Sequence, residues 1–173
     1  MRLLCLALLV VCGPAAQAQD PQAQEWGPAP PRYGVGFDAA FPLLGGDLLP
    51  DGLAIGLRGR GALPINADLS VAASLGVGAH LFADREPTRY VLNPQASLIV
   101  TLPGESRNLR YILGGFGGFL PISGGQGGPS VHGGVGIAVP LDQTSLFAEF
   151  DPSLIIGQDD TGFVLAVRGG AIF

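Results

Sequence analysis

Few side chains in this sequence could carry out chemistry. Ser130 and His132 lie two residues apart, and Glu149 or Asp151 could approach them from a neighbouring strand. A serine, a histidine and a carboxylate are the components of a nucleophilic hydrolase. No G-x-S-x-G motif accompanies them, so a hydrogen-bonded interior histidine explains His132 better. His80 and His132 are too few and too isolated to predict a metal site, and no cofactor motif is present, so we predict no catalytic residue, metal or cofactor.

Seven charged residues lie in segments that are otherwise apolar or rich in small residues. They are Asp38, Arg58, Arg60, Asp68, Glu149, Asp151 and Arg168. If the last hairpin turns around Gln158-Asp159, Glu149 lies directly across from Arg168. These charges could form a charged gate or a proton path, or a structural network in which they neutralise one another. We favour the structural network, because an unpaired buried charge is costly.

The composition excludes several functional classes. Every basic side chain is arginine, so no lysine can serve a phosphate-binding loop, a Schiff base or general-base catalysis. The net charge of −5 gives no support for nucleic-acid binding. Hydrophobic residues make up 47% of the chain. Even so, the longest uncharged run, 111–141, contains eleven glycines and three prolines, which disfavour a spanning helix. An apolar chain that cannot form spanning helices indicates a membrane β-barrel or a well-packed soluble β-protein.

The N-terminus has the pattern of a secretory signal peptide. Arg2 precedes the apolar run 3–12, and Ala16-Gln17-Ala18 forms a small-x-small cleavage site. We predict cleavage after Ala18, which gives a signal peptide over 1–18 and removes both cysteines, Cys5 and Cys12. Residues 19–32 contain four prolines and are predicted to be a flexible lead-in.

From Tyr33 onward the chain divides into eight β-like segments. Their approximate bounds are 33–42, 52–63, 67–82, 89–102, 109–120, 130–141, 144–156 and 161–173. In seven of them, large apolar residues alternate with small or polar ones; the glycine-rich fifth has no clear alternation. Most contain ten or more residues, which matches a tilted membrane-spanning strand. The pattern predicts an all-β fold over 33–173, an eight-stranded antiparallel up-and-down transmembrane β-barrel.

The charged residues indicate which face of each strand turns outward. With the apolar face inward, Arg58, Arg60 and Arg168 would contact lipid, at a cost of about 2–4 kcal/mol each near the midplane. Glycine and alanine beside these charges suit the narrow interior of an eight-stranded barrel. We therefore expect the apolar face outside and the polar face in a lumen without a wide pore. The alternative is a soluble exported barrel with Leu, Val and Phe around an apolar ligand.

With its strands placed, the chain resembles the small eight-stranded outer-membrane barrels, the group that includes the OmpA transmembrane domain and OmpX. The resemblance is most specific at the C-terminus, where Phe163, Leu165, Val167 and the terminal Phe173 alternate with other residues. It implies that these four residues form the signal for the outer-membrane assembly machinery. It also implies a bacterial outer-membrane location with lipid around the barrel.

The resemblance leaves the role of the barrel open. We expect a non-enzymatic protein with a structural or surface-interaction role, binding any surface ligand through loops 43–51, 83–88, 121–129 and 157–160. An outer-membrane lipid A deacylase also has eight strands, so a lipid-modifying hydrolase remains an alternative. Such an enzyme would need Ser130 and His132 to face lipid.

Overall fold

A computed structural model describes residues 30–44, 48–49, 52–81, 88–104, 108–122 and 125–173. The predicted signal peptide, 1–18, and most of the predicted lead-in, 19–29, lie outside the described residues. The described residues contain no helix long and apolar enough to cross a membrane.

Eight antiparallel strands form one closed barrel in which each strand pairs with its neighbours in sequence and β8 pairs with β1. The strands are β1 Arg32–Leu44, β2 Leu53–Pro64, β3 Leu69–Leu81, β4 Arg89–Leu102, β5 Leu109–Pro121, β6 Gly128–Pro140, β7 Ser145–Ile156 and β8 Thr161–Ile172. The backbone amides and carbonyls of Tyr33 and Phe173 bond to each other where the barrel closes. The predicted fold class and strand number are confirmed.

The large apolar side chains point outward. Phe37 on β1 is 68% exposed and Phe116 on β5 is 73% exposed, and every other strand also carries exposed large apolar residues. Charged side chains such as Arg58 and Glu149 are buried inside the barrel. A soluble barrel that buries Leu, Val and Phe around a ligand would have the opposite arrangement. The predicted orientation of the faces is therefore confirmed.

On the fifth strand, the large side chains show which face turns into the lumen. Tyr111, Leu113 and Phe119 are buried inside the barrel, whereas Ile112 and Phe116 are exposed outside. The glycine pairs 114–115 and 117–118 occupy both faces, so this strand has no contrast between large and small residues in its middle.

Buried apolar side chains cluster at each end of the lumen. At the end that carries the long loops, six buried residues form what we call the loop-end cluster: Leu48, Leu49, Val91, Phe119, Ile155 and Val164. At the end that carries the short turns, a second cluster contains Tyr111, Leu113 and Ala138, with Ile99 and Phe147 packed against it. Leu48 and Leu49 are 1% and 3% exposed, although they lie in a segment that the sequence predicts to be a surface loop.

Candidate functional site in the barrel lumen

The strand register brings six of the seven predicted charges together in the lumen. Asp38 lies across from Arg168 where β1 pairs with β8, and Glu149 lies across from Arg168 where β7 pairs with β8. The predicted pairing of Glu149 with Arg168 in the last hairpin is therefore observed. Because inward residues alternate along each strand, Arg58, Arg60 and Asp151 face the same lumen.

Arg58 is the centre of the first group of contacts. Its Nε donates to Asp38 Oδ2 at 2.7 Å, and its Nη1 donates to Ser74 Oγ at 2.9 Å and to Gln95 Oε1 at 3.0 Å. Its Nη2 donates to Asn93 Oδ1 at 3.0 Å. We call these five residues the Arg58 cluster. The guanidinium, which extends from β2, is thus held by side chains from three other strands, β1, β3 and β4.

Arg60 and Glu149 form the second group. Arg60 Nη1 and Nη2 donate to Glu149 Oε1 and Oε2 at 2.5 and 2.6 Å, and the Tyr111 hydroxyl donates to Oε1 at 2.7 Å. The Arg60 guanidinium also lies 5.4 Å from the ring centre of Phe147. Both carboxylate oxygens are therefore satisfied, and the fork-to-fork geometry is the strongest form of an arginine–carboxylate pair.

A third group joins Ser97, His132, Asp151 and Arg168. The Ser97 hydroxyl lies 3.3 Å from His132 Nε2, and His132 Nδ1 lies 3.0 Å from Asp151 Oδ1. Arg168 Nη1 donates to Asp151 Oδ2. The order serine, histidine, aspartate is that of a hydrolase triad, but Asp151 also binds an arginine, and Ser97 does not line the lumen cavity described below. This arrangement satisfies buried polar groups of His132, Asp151 and Arg168.

Ser130 and His132 do not form the pair that their spacing suggested. Both are buried in the lumen, at 2% and 4% exposed, and the Ser130 hydroxyl has no hydrogen-bond partner among the described residues. His80 lies in the lumen too, edge-on to Phe119 with ring centres 6.0 Å apart. The described residues contain no group of three or more His, Cys, Asp or Glu residues arranged to hold a metal.

The prediction that Asp68 belongs to the lumen network is wrong. Asp68 is exposed in the turn between β2 and β3, where its backbone amide bonds to Asn66 Oδ1 at 2.9 Å. The third strand begins at Leu69, two residues later than predicted, so Asp68 precedes the inward alternation.

Tyr111 is the network residue that the sequence did not indicate. Its strand shows no clear alternation of large and small residues. Tyr111 and Phe119 nevertheless lie eight positions apart, an even number, so their side chains share a face. The sequence also did not identify Asn93 and Gln95 as partners of Arg58, or Ser97 as a partner of His132.

The lumen charges balance. Three arginines, Arg58, Arg60 and Arg168, face three carboxylates, Asp38, Glu149 and Asp151, and every one of the six takes part in an ion pair. Since unpaired charge inside a narrow barrel would be costly, this balance indicates a self-contained structural network.

The barrel is similar to solved structures from three bacterial groups. Neisserial surface protein A superposes with a TM-score of 0.63 at 14% identity, covering 82% of this chain and 94% of that one. The N-terminal β-barrel domain of Pseudomonas aeruginosa OprF gives 0.52 at 12% identity, covering 82% and 97%. Ail, the attachment invasion locus protein of Yersinia pestis, gives 0.51 at 14% identity, covering 83% and 97%. The chain has the fold of the small eight-stranded outer-membrane β-barrels.

Comparison of the amino-acid sequence identifies no related protein. No protein-family profile and no curated protein matches the chain. The residues predicted as the assembly signal lie along β8 and at the C-terminus, where Val167 and Phe173 are 49% and 62% exposed on the outer face. Their position on the outer-membrane barrel fold leaves them accessible from outside the barrel.

Proposed function

We propose that this chain is an exported bacterial outer-membrane protein with a structural or surface-interaction role and no wide pore. Its location is supported by the barrel fold and by the outward apolar belt, which would be insoluble in water and is suited to a lipid bilayer. The signal-peptide pattern over 1–18, with cleavage after Ala18, supplies the route of export. Lipid and the outer-membrane assembly machinery are then its first partners.

The main support for a lumen without a wide pore is the Arg60–Glu149 pair. The two side chains meet across the lumen with contacts of 2.5 and 2.6 Å. The Arg58 cluster occupies the middle of the lumen, and an apolar cluster lies at each end. A barrel of eight strands is just wide enough to be filled by side chains in this way.

A surface partner would meet the loops of this protein. The Ail barrel has been solved in complex with the heparin analogue sucrose octasulfate. The loop segments of this chain carry Asp47, Asp51, Asp84, Glu86, Asp159 and Asp160, against Arg85 and the adjacent Arg89. This acidic balance disfavours a sulfated polyanion, so we propose a neutral or basic surface ligand.

The hydrolase alternative has less support. Ser130 and His132 face the lumen, so neither can reach a lipid substrate in the surrounding membrane. Ser97, which does contact His132, is also inward. We therefore propose that the chain is not an enzyme.

Two measurements test this proposal together. Fractionated membranes from expressing cells should contain the mature chain, beginning at Gln19, in the outer membrane. The purified protein in planar lipid bilayers should show no steady conductance of the kind that open porins give. A periplasmic soluble protein would contradict the location, and a stable open channel would contradict the filled lumen.

A further inference from the structure

A cavity of about 80 Å³ lies inside the barrel, beside the Arg58 cluster and the loop-end cluster. On one side it is lined by polar residues that include Asp38 and Arg168. On the other side it is lined by apolar residues that include Val91, Phe119 and Ile155. The cavity therefore has one polar wall and one apolar wall.

Two hydrogen-bonding atoms of the polar wall have no hydrogen-bond partner among the described residues. They are Arg168 Nε, a donor, and Asp38 Oδ1, an acceptor, which form an ion pair at 3.5 Å without a hydrogen bond. Arg168 is only 3% exposed, so bulk water does not reach it freely. A buried polar atom without a hydrogen bond is unfavourable. A bound group that both accepts a hydrogen bond and donates one would satisfy the two atoms together.

The charge of this group follows from the balance of the lumen. The three arginines and three carboxylates already neutralise one another. An added anion or cation would bring an unpaired charge into a buried site, which is strongly unfavourable. The chemistry therefore selects an uncharged head group such as a hydroxyl or a primary amide.

The volume of the cavity and its apolar wall indicate the rest of the ligand. One water needs about 10–15 Å³ of cavity volume, so the cavity has room for roughly five to eight non-hydrogen atoms. A short alkyl chain would contact Phe119, Ile155 and Val164, which also line the cavity. Contact with these residues would remove apolar surface of the ligand from water.

We propose that the lumen cavity is a binding site for a small uncharged amphiphile, with a hydroxyl or primary amide between Asp38 and Arg168 and a short alkyl tail against the loop-end cluster. The site is independent of any partner that binds the loops. The lumen then does more than support the barrel, because it selectively binds one class of small molecule.

The test uses the mature chain in detergent micelles, with NMR signals from its isoleucine and valine methyl groups. Butyramide is the probe, and butyrate and butylammonium are charged analogues of the same chain length. Butyramide should shift the methyl signals of Val91, Ile155 and Val164 in a saturable way. The outward-facing Val167 should report only non-saturating partition into the micelle.

Two alanine variants provide the matched comparison. Ala166 lines the cavity, so Ala166→Leu should weaken butyramide binding at least ten-fold. The same substitution at the outward-facing Ala148 should leave binding unchanged. If Ala166→Leu does not fold, the smaller Ala54→Val, also on the cavity wall, takes its place.

Three results would overturn the proposal. The first is no saturable shift with butyramide, which would mean that the cavity holds water alone. The second is equal binding by the cavity-filled and parent proteins. The third is binding of butyrate or butylammonium as tight as that of butyramide, which would contradict the selection of an uncharged head group.

Discussion

Arg60 and Glu149 form a bidentate ion pair across the lumen, although they lie 89 positions apart in sequence. Two strands, β1 and β8, separate their strands around the barrel. The pair ties opposite parts of the wall together, so its contribution to stability differs from that of a pair on adjacent strands. Tyr111 donates to the same carboxylate from β5. Three strands that do not pair directly with one another are thus connected through one side chain.

Glu149→Gln should destabilise the folded barrel by about 3–5 kcal/mol, because the buried Arg60 guanidinium loses its counter-charge. The midpoint of urea unfolding in detergent measures the effect. Asp142→Asn, in the exposed turn between β6 and β7, is the control and should change little. The double variant Arg60→Met, Glu149→Leu should recover most of the loss, since neither charge remains buried. Equal stability of Glu149→Gln and the parent protein would contradict the cross-lumen pair.

Gly76→Ala should lower stability by about 1–3 kcal/mol, the usual effect of overpacking a filled interior. A β-carbon at this position would lie 2.7 Å from Arg58 Nη2 and would displace the guanidinium from its partners. Gly59→Ala is the matched control, because a β-carbon there meets nothing within 4 Å. Urea midpoints of the two variants should therefore separate, with Gly59→Ala equal to the parent or slightly more stable. If both variants lose the same stability, the packing around Arg58 is not the cause.

Val135→Arg tests the outward face. Val135 is 55% exposed near the middle of β6, so an arginine there should cost about 2–4 kcal/mol in a bilayer. Leu102→Arg, at the end of β4, should cost only about 0–1 kcal/mol because it lies near the membrane surface. Folding into phospholipid vesicles across a urea series gives both values. The same cost at the two positions would argue against a bilayer around the barrel.

Much of the fold could be predicted because strand alternation is a local property of the sequence. The register around Gln158-Asp159 places Glu149 across from Arg168, as expected. The carboxylate nevertheless binds Arg60 most closely, at 2.5 and 2.6 Å, while Arg168 Nη1 lies 3.9 Å away. Strand register identifies adjacent residues only, whereas an arginine can reach across a narrow lumen to a strand that its own strand does not contact.

Two other differences between the predicted and the observed structure also have physical causes. Asp68 belongs to a turn because β3 begins at Leu69, and strand ends are set by turn hydrogen bonds such as those to Asn66 rather than by alternation. Leu48 and Leu49 pack over the lumen, although their segment carries one proline, two glycines and two aspartates, a composition typical of a surface loop. Apolar residues in such a loop can complete a core that the strands leave open.

Phe173→Ser should reduce the amount of folded barrel in the outer membrane of cells several-fold, because the terminal aromatic is predicted to be part of the signal for the assembly machinery. Refolding of the purified variant in detergent should be nearly normal, since the closure bonds between Tyr33 and Phe173 are made by the backbone. Phe41→Ser, at another exposed aromatic, is the control. Equal loss in cells and in detergent would indicate a stability effect instead of a recognition signal.

The central claim, a compact barrel that spans the outer membrane with its apolar face outward, is tested most directly by gel mobility of the membrane fraction with and without boiling. A closed barrel that resists detergent should run faster when unboiled, and this band should be in the outer-membrane fraction. A soluble periplasmic protein with no mobility difference would contradict the claim, and the exposed leucine, valine and phenylalanine side chains would then have to lie in an interior core.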